Sequence, residues 1–274
     1  MRIGTIADLH FDRHQRLTME DYLEAVVRLI DQEALNMLII AGDISNHYST
    51  TFEFIAQLSS EVTIPIYFIP GNHDLWRQPD EQLTTAEILR LYQDHPQCLM
   101  GTPVEVDNYV IAGHMGWYDY SFAADRFTYD KLAKGKHYYG ATWQDKVYTA
   151  FGVSDPQLSQ CFAAEVWQDL VSYADRQVIL VTHVVTHPKF TVPMPHRIFD
   201  FFNGFLGTSD FKPLYQHFNI PYSVMGHVHF RKRLVDDNTT FLCPCLGYPR
   251  EWRTDDLATE LKHALQVIQI HEST

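Results

Sequence analysis

Basic residues are scarce: Lys and Arg number 21 against 34 Asp and Glu, a formal net charge of −13 with histidine neutral. That balance argues against broad, sequence-independent nucleic-acid binding, which needs a basic surface. A small anionic substrate is still possible where bound cations supply positive charge locally. Cysteine is also scarce, with Cys98, Cys161, Cys243 and Cys245 scattered along the chain. No paired C-x-x-C spacing marks a thiolate zinc site, and Cys243-Pro244-Cys245 is too tight for an ordinary disulfide. The four read as core thiols of a protein in a reducing cytoplasm. No apolar run approaches the roughly 20 residues of a membrane-spanning helix. The opening Met1-Arg2-Ile3-Gly4-Thr5-Ile6 reads as a strand rather than a signal peptide. Internal repeats and low-complexity tracts are absent.

What is present is apolar substance and histidine. The 274 residues are 46% hydrophobic and 14% aromatic, enough to fill a large core, and one domain over 1–274 is expected. The 15 histidines are informative by position. Apolar runs at 2–7, 37–41 and 64–69 read as buried strands. Between them, Leu23, Val26, Val27, Ile30 and Ala34 fall at helical spacing over 19–35, with Thr18 as N-cap. A second helix is expected over 51–58. Strand alternating with helix implies a parallel sheet, in which ligands bind beyond the carboxyl ends of the strands. Further on, a hairpin is expected at 104–113, a helix over 158–174, strands at 177–181 and 221–225, a hairpin around Asp236-Asp237-Asn238 and a last strand at 265–270. Stretches 116–151 and 188–210 read as irregular, lid-like excursions.

The strand ends carry the chemistry. Asp8-x-His10 and His227-x-His229 each place two ligating groups at i and i+2, on one face of an extended chain. Asp43, Asn72 and His183 each follow a separate apolar run. One rim thus receives two carboxylates, four imidazoles and a carboxamide, more than the four or so ligands of one tetrahedral zinc. The surplus argues for two metals about 3.5–4 Å apart sharing a carboxylate. Nitrogen and oxygen donors without thiolate suit Mn, Fe or Zn, with Mn or Fe favoured. Two divalent ions, less two carboxylates and a bridging hydroxide, leave one positive charge for a phosphate oxygen. Neutral Asn72 preserves that charge where a carboxylate would cancel it.

In this order, Asp8-x-His10, Gly42-Asp43, Gly71-Asn72-His73-Asp74, Thr182-His183 and Gly226-His227-x-His229 resemble the calcineurin-like metallophosphoesterase superfamily. The resemblance spans nearly the whole chain. It implies an α/β fold, a four-layer α-β-β-α sandwich of two mixed sheets flanked by helices. It implies one metal held by Asp8, His10, Asp43 and His229. The other would be held by Asp43, Asn72, His183 and His227, with Asp43 bridging. It implies a phosphomonoesterase or phosphodiesterase in which hydroxide attacks in line. His73 would serve as general acid or phosphoryl stabiliser, with Asp74 holding its ring. Lying one position from Asn72, His73 is expected to point away from the metals, and Asp74 to accept its ring proton and favour the charged form.

Plainer readings stand beside these. Asp8 or Asp43 alone could cap a helix. His14, His47, His114 and His187 read as structural histidines. Trp117, Tyr118 and Tyr120 pack or line the site, and the aromatics of 199–205 read as core or lid packing. The expected partner is a small phosphorylated substrate. A nuclease using Arg231-Lys232-Arg233, or an idle scaffold for protein partners, are the alternatives; a scaffold has no need of His73.

Overall fold

The computed structural model describes residues 1–270. Its strands, in chain order, are β1 (Arg2–Ile6), β2 (Met37–Ala41), β3 (Ile66–Ile69), β4 (Val104–Val106), β5 (Tyr109–His114), β6 (His137–Tyr138), β7 (Ala141–Thr142), β8 (Gln177–Thr182), β9 (Asn219–Val224), β10 (Arg231–Asp236), β11 (Thr239–Pro244) and β12 (Gln266–Gln269). One mixed sheet has the order β12-β1-β2-β3, with β1, β2 and β3 parallel and β12 antiparallel. The other has the order β10-β11-β9-β8-β5-β4, parallel at its centre and antiparallel at both edges.

Alternation of side chains explains the layering. Ile111, Ile179 and Val181 turn into the large core shared with β1 to β3. Their neighbours Val110, Ala112, Val178 and Leu180 turn the other way, onto Val166, Leu170 and Leu214 of helices Asp155–Leu170 and Lys212–His217. Helices Met19–Gln32, Tyr48–Glu61 and Leu257–Ala264 accompany the smaller sheet. This is the expected sandwich of two mixed sheets flanked by helices.

The first helix is set by its sequence. Tyr22, Leu23, Val26, Leu29 and Ile30 are buried at helical spacing. Thr18 accepts from the Asp21 N–H while the Asp21 carboxylate accepts from the Thr18 N–H; such a cap is worth about 0.5–2 kcal/mol. The helix stops at Gln32, short of the predicted 35, where Ala34 turns left-handed (φ 47°). Helix Thr85–Gln93 was not anticipated, although Thr84 and Glu87 form a full capping box before buried Ile88 and Leu89.

The two sheets meet where their carboxyl ends converge. The Ala7 N–H donates to the Pro244 carbonyl, and Leu246 and Gly247 donate back to Ala7 and Asp8. The Gly226 N–H donates to the His183 carbonyl, and Asp8 and His10 donate to Gly42 and Asp43. The turns after β1, β2, β8 and β9 are thereby laced into one rim. Among the described residues no helix is long and apolar enough to cross a membrane. Cys98, Cys243 and Cys245 are buried free thiols, while Cys161 is exposed. Arg231-Lys232-Arg233 forms the edge strand β10, where Arg231 is committed to Glu260 at 2.5 Å rather than to a groove.

The candidate dinuclear metal centre

The rim holds its polar groups on strained backbone. Asp8 (φ 56°), His10 (43°), Asp43 (54°), His227 (73°) and His229 (55°) all sit in the left-handed region. Non-glycine residues seldom adopt it, and together they mark a place where local strain is maintained by the surrounding fold. Glycine is needed beside them. A Cβ on Gly71 would lie 2.2 Å from Asp43 Oδ1, and one on Gly42 2.6 Å from His183 Nδ1.

The donor atoms converge in two lobes around Asp43. In one, Asp8 Oδ1 lies 3.5 Å from His229 Nε2 and 4.0 Å from His10 Nε2. His10 Nε2 lies 3.1 Å from His229 Nε2 and 3.6 Å from Asp43 Oδ2. In the other, Asp43 Oδ2 lies 3.3 Å from His183 Nε2, and Asn72 Oδ1 lies 3.1 Å from His183 Nε2 and 2.9 Å from His227 Nδ1. The structure thus brings together all seven residues singled out from the sequence.

These imidazoles are aimed from behind. His183 Nδ1 donates to the Ala41 carbonyl (2.9 Å), and His227 Nε2 to the Phe205 carbonyl (3.0 Å). A carbonyl only accepts, so in the neutral rings His183 Nε2 and His227 Nδ1 are both bare lone pairs. They face each other at 3.2 Å. That arrangement is repulsive without a cation between them, either a proton or a metal. Glu251 holds His229 Nδ1 at 2.7 Å, leaving Nε2 for Asp8. Electrostatics tells the same story. Burial disfavours the His183 charge, yet the Asp43 carboxylate outweighs it and holds the pKa up at about 9. Burial and His183 push His227 down to about 3. Burial pushes Asp8 well above the carboxylate range. Buried acceptors whose charges go unbalanced are what a cation would satisfy. The residues therefore fit two ions.

Two expectations about the Gly71–Asp74 stretch are corrected. Asp74 does not hold the His73 ring. Its carboxylate turns inward and accepts the backbone N–H groups of Gly71, Asp43, Ile44 and Ser45 and the Thr51 hydroxyl. It is the staple that fixes the β2 and β3 turns against each other, and burial together with Asp43 pushes its pKa up to about 7. Nor does His73 point away from the site: its Nε2 lies 3.9 Å from Asp43 Oδ2. The chain here is a 3₁₀ turn over His73–Leu75, not an extended strand, so neighbouring side chains do not alternate. The ring is held instead by Asn46, whose Oδ1 accepts from His73 Nδ1 at 2.7 Å. Asn46 is oriented in turn by Asp12, which accepts its amide at 2.6 Å. Trp76 stacks on the ring at 3.6 Å between centroids, and the Tyr248 hydroxyl lies 3.4 Å from Nε2. Contrary to the expected charged form, burial lowers His73 to about 4, with Asp43 only partly offsetting it.

Above the donors opens a cleft of about 1080 Å³ with Asp43, Asn72, His73, His227 and His229 at its floor. Trp76, Trp143, Tyr248 and Phe230 form walls, and Arg13, Arg16 and Arg250 reach its lining. The Arg13 guanidinium lies over the Trp76 ring at 5.5 Å and has no ion-pair partner among the described residues. The stretch 116–151 is more ordered than expected. It contains helices Tyr129–Gly135 and Asp145–Tyr148 and the β6–β7 pair, and it supplies Trp143 and Asp145 to the cleft. Trp117, Tyr118 and Tyr120 are buried beneath, and Phe201 and Phe205 belong to the core. His114, His187 and His47 pair with Glu165, Asp236 and Glu81 away from the donors, whereas His14 lines the cleft.

The metal-free site has a pH signature. His183, raised to about 9, contributes stability present below the unfolded value near 6.5 and lost as pH rises to about 9. His227 and His73, lowered to about 3 and about 4, are buried neutral and cost stability as pH falls below about 6.5. Metal-stripped protein should therefore lose stability as pH rises from about 7 to 9. Because a cation displaces the His183 proton, apparent affinity should rise about tenfold per pH unit towards pH 9. Melting curves and Mn²⁺ titrations from pH 6 to 9.5 check both; a metal-free melting temperature that climbs from pH 7 to 9 contradicts the assignment.

Comparison with known proteins agrees with this geometry. Residues 1–231 match the calcineurin-like phosphoesterase family. A probable cyclic nucleotide phosphodiesterase of Fibrobacter succinogenes is 32% identical over 79 residues, 27% of this chain. The match spans about 31% of that relative's length. Among solved structures, a phosphopantetheinyl hydrolase from Mycobacterium tuberculosis shares the fold with a TM-score of 0.72 at 19% identity, covering 97% of this chain and 95% of that one. A dimetal phosphatase from Danio rerio does so at 0.52 and 13% identity, over 88% and 86% of the two chains. With more than half its length matched and both mixed sheets in place, the chain belongs to the calcineurin-like phosphoesterases, a family of metal-dependent phosphoric ester hydrolases.

Proposed function

We propose that this chain hydrolyses a small phosphodiester. Asp8, His10, Asp43 and His229 would hold one cation, and Asp43, Asn72, His183 and His227 the other. The observation that carries this is the pair of facing lone pairs, His183 Nε2 and His227 Nδ1 at 3.2 Å, with Asp43 Oδ2 shared by both lobes. When bound, two divalent ions supply positive charge to the phosphoryl oxygens and lower the pKa of water. The donor set, free of thiolate, favours Mn or Fe.

The chain's own residues do the rest. Neutral Asn72 leaves the site its net positive charge. His73 directs Nε2 into the cleft because Asn46, fixed by Asp12, accepts the hydrogen bond from its Nδ1–H. A bound phosphoester brings negative charge to Nε2, which raises the His73 pKa and lets it carry a proton to the leaving oxygen. A cleft of this size, lined by Trp76, Trp143, Phe230 and Tyr248 and by Arg13, Arg16 and Arg250, offers contacts for a second organic arm that a monoester would leave unused. The name of the Fibrobacter relative, a cyclic nucleotide phosphodiesterase, points the same way.

The test is a hydrolysis screen of Mn-loaded protein. It would include bis-p-nitrophenyl phosphate, p-nitrophenyl phosphate, cyclic nucleotides and a phosphopantetheinylated carrier protein, with metal content measured in parallel. Two ions per chain and faster diester than monoester hydrolysis are expected. Faster monoester hydrolysis overturns the choice of diester. Two ions with no hydrolysis of any phosphoester would leave the scaffold reading in its place.

A further inference from the structure

Asp145 lies 73 positions from Asn72 in sequence and against it in space. It is 1% exposed, yet no basic side chain within salt-bridge distance neutralises it among the described residues. Four donors converge on it instead. Asn72 Nδ2 and Trp76 Nε1 both donate to Oδ1 at 2.8 Å. Trp143 Nε1 donates to Oδ2 at 2.9 Å and the Tyr118 hydroxyl at 3.3 Å. Lys136 stands behind, donating to the Tyr118 oxygen at 2.7 Å.

A carboxamide can present either its oxygen or its nitrogen to a metal, and only the oxygen is a ligand. Asp145 settles the choice for Asn72. A carboxylate can only accept, so it captures Nδ2 and turns Oδ1 towards His183 Nε2 and His227 Nδ1. The same carboxylate fixes the Trp76 indole, which stacks on His73, and the Trp143 indole, which lies 5.6 Å from His227. The geometry points to Asp145 as a positioning residue that orients Asn72 towards the second cation. It acts through Asn72 rather than by touching metal or substrate. This rests on the reading of Asn72 as a metal donor.

Metal-stripped full-length protein is titrated with Mn²⁺ by calorimetry and equilibrium dialysis, and kcat and KM are measured on the loaded forms. Wild type should bind two ions. Asp145→Ala should weaken one of the two by about 10- to 100-fold, the usual effect of losing a partner behind a ligand, and leave the other unchanged. In an Asn72→Ala background, which itself loses the same ion, Asp145→Ala should add nothing. Tyr118→Phe removes one Oδ2 donor but leaves the Asn72 bond, so it should keep both affinities within about threefold. If Asp145→Ala does not fold, isosteric Asp145→Asn replaces it throughout, with a smaller loss at the same ion. Two wild-type affinities in the Asp145 variant, or a further loss in the Asn72→Ala background, would overturn the role of Asp145. A wild type that binds fewer than two ions, or an Asn72→Ala variant that binds both normally, would defeat the underlying metal reading instead.

Discussion

Asp43→Asn should strip both ions from the protein and lower hydrolysis by about four to six orders of magnitude, the range for losing a central member of a catalytic constellation. Asp43 Oδ2 is the atom shared by the two lobes, 3.6 Å from His10 Nε2 and 3.3 Å from His183 Nε2. An asparagine keeps the Oδ1 that accepts from the His73 N–H at 2.9 Å, so the turn is preserved. What it loses is the charge. His183 then loses the partner that raises its pKa, and neither lobe keeps enough negative charge to compete with water for a cation. The fold should not follow. A core of this size needs no metal to form, but in the metal-free state the buried His183 imidazolium loses the Asp43 carboxylate that pairs with it at 3.3 Å. Metal-stripped Asp43→Asn should therefore melt lower than metal-stripped wild type at neutral pH, with an unchanged far-UV circular dichroism spectrum. Retention of two ions with activity within tenfold of wild type would refute the shared role.

The positions of the seven donors were legible because each follows a buried parallel strand. A strand such as Met37–Ala41 is apolar throughout, so the polar residue that ends it stands out, and sheet topology then delivers every such end to one side. The groups behind the donors left no such mark. Asp145 and Trp143 sit in an excursion without period, and their meeting with Asn72 and His227 is a tertiary fact. Asn46, Tyr248 and Glu251 lie in turns whose local sequence says only that the chain bends. Helix Thr85–Gln93 was legible in principle through its capping box. Asp74 illustrates the opposite failure. Its place beside His73 in sequence suggested a side-chain pair, but a carboxylate in a tight turn finds backbone N–H groups closer than any ring, and the 3₁₀ turn sends the two side chains apart.

His73→Gln should keep both ions and lose activity in proportion to how badly the leaving group needs a proton. His73 reaches to 3.9 Å from Asp43 Oδ2, near enough to be mistaken for a ligand. Its ring, however, is committed on the other side to Asn46 at 2.7 Å and stacked on Trp76. Both lobes have a full donor set without it. A general acid contributes typically about 100- to 10,000-fold. On a dialkyl phosphodiester, whose alkoxide leaves poorly, kcat should fall within that range. On bis-p-nitrophenyl phosphate, whose leaving group needs little protonation, the fall should be about tenfold or less. Asn46→Ala, which frees Nδ1 while leaving Nε2 in place, should follow the same pattern with smaller losses, since it loosens the ring without removing it. Equal losses of His73→Gln on both substrates, with two ions retained, would assign the ring to stabilising phosphoryl charge rather than to the leaving oxygen. Loss of an ion in His73→Gln would make it a ligand, and the charge count around Asn72 would then have to be redrawn with a fifth imidazole.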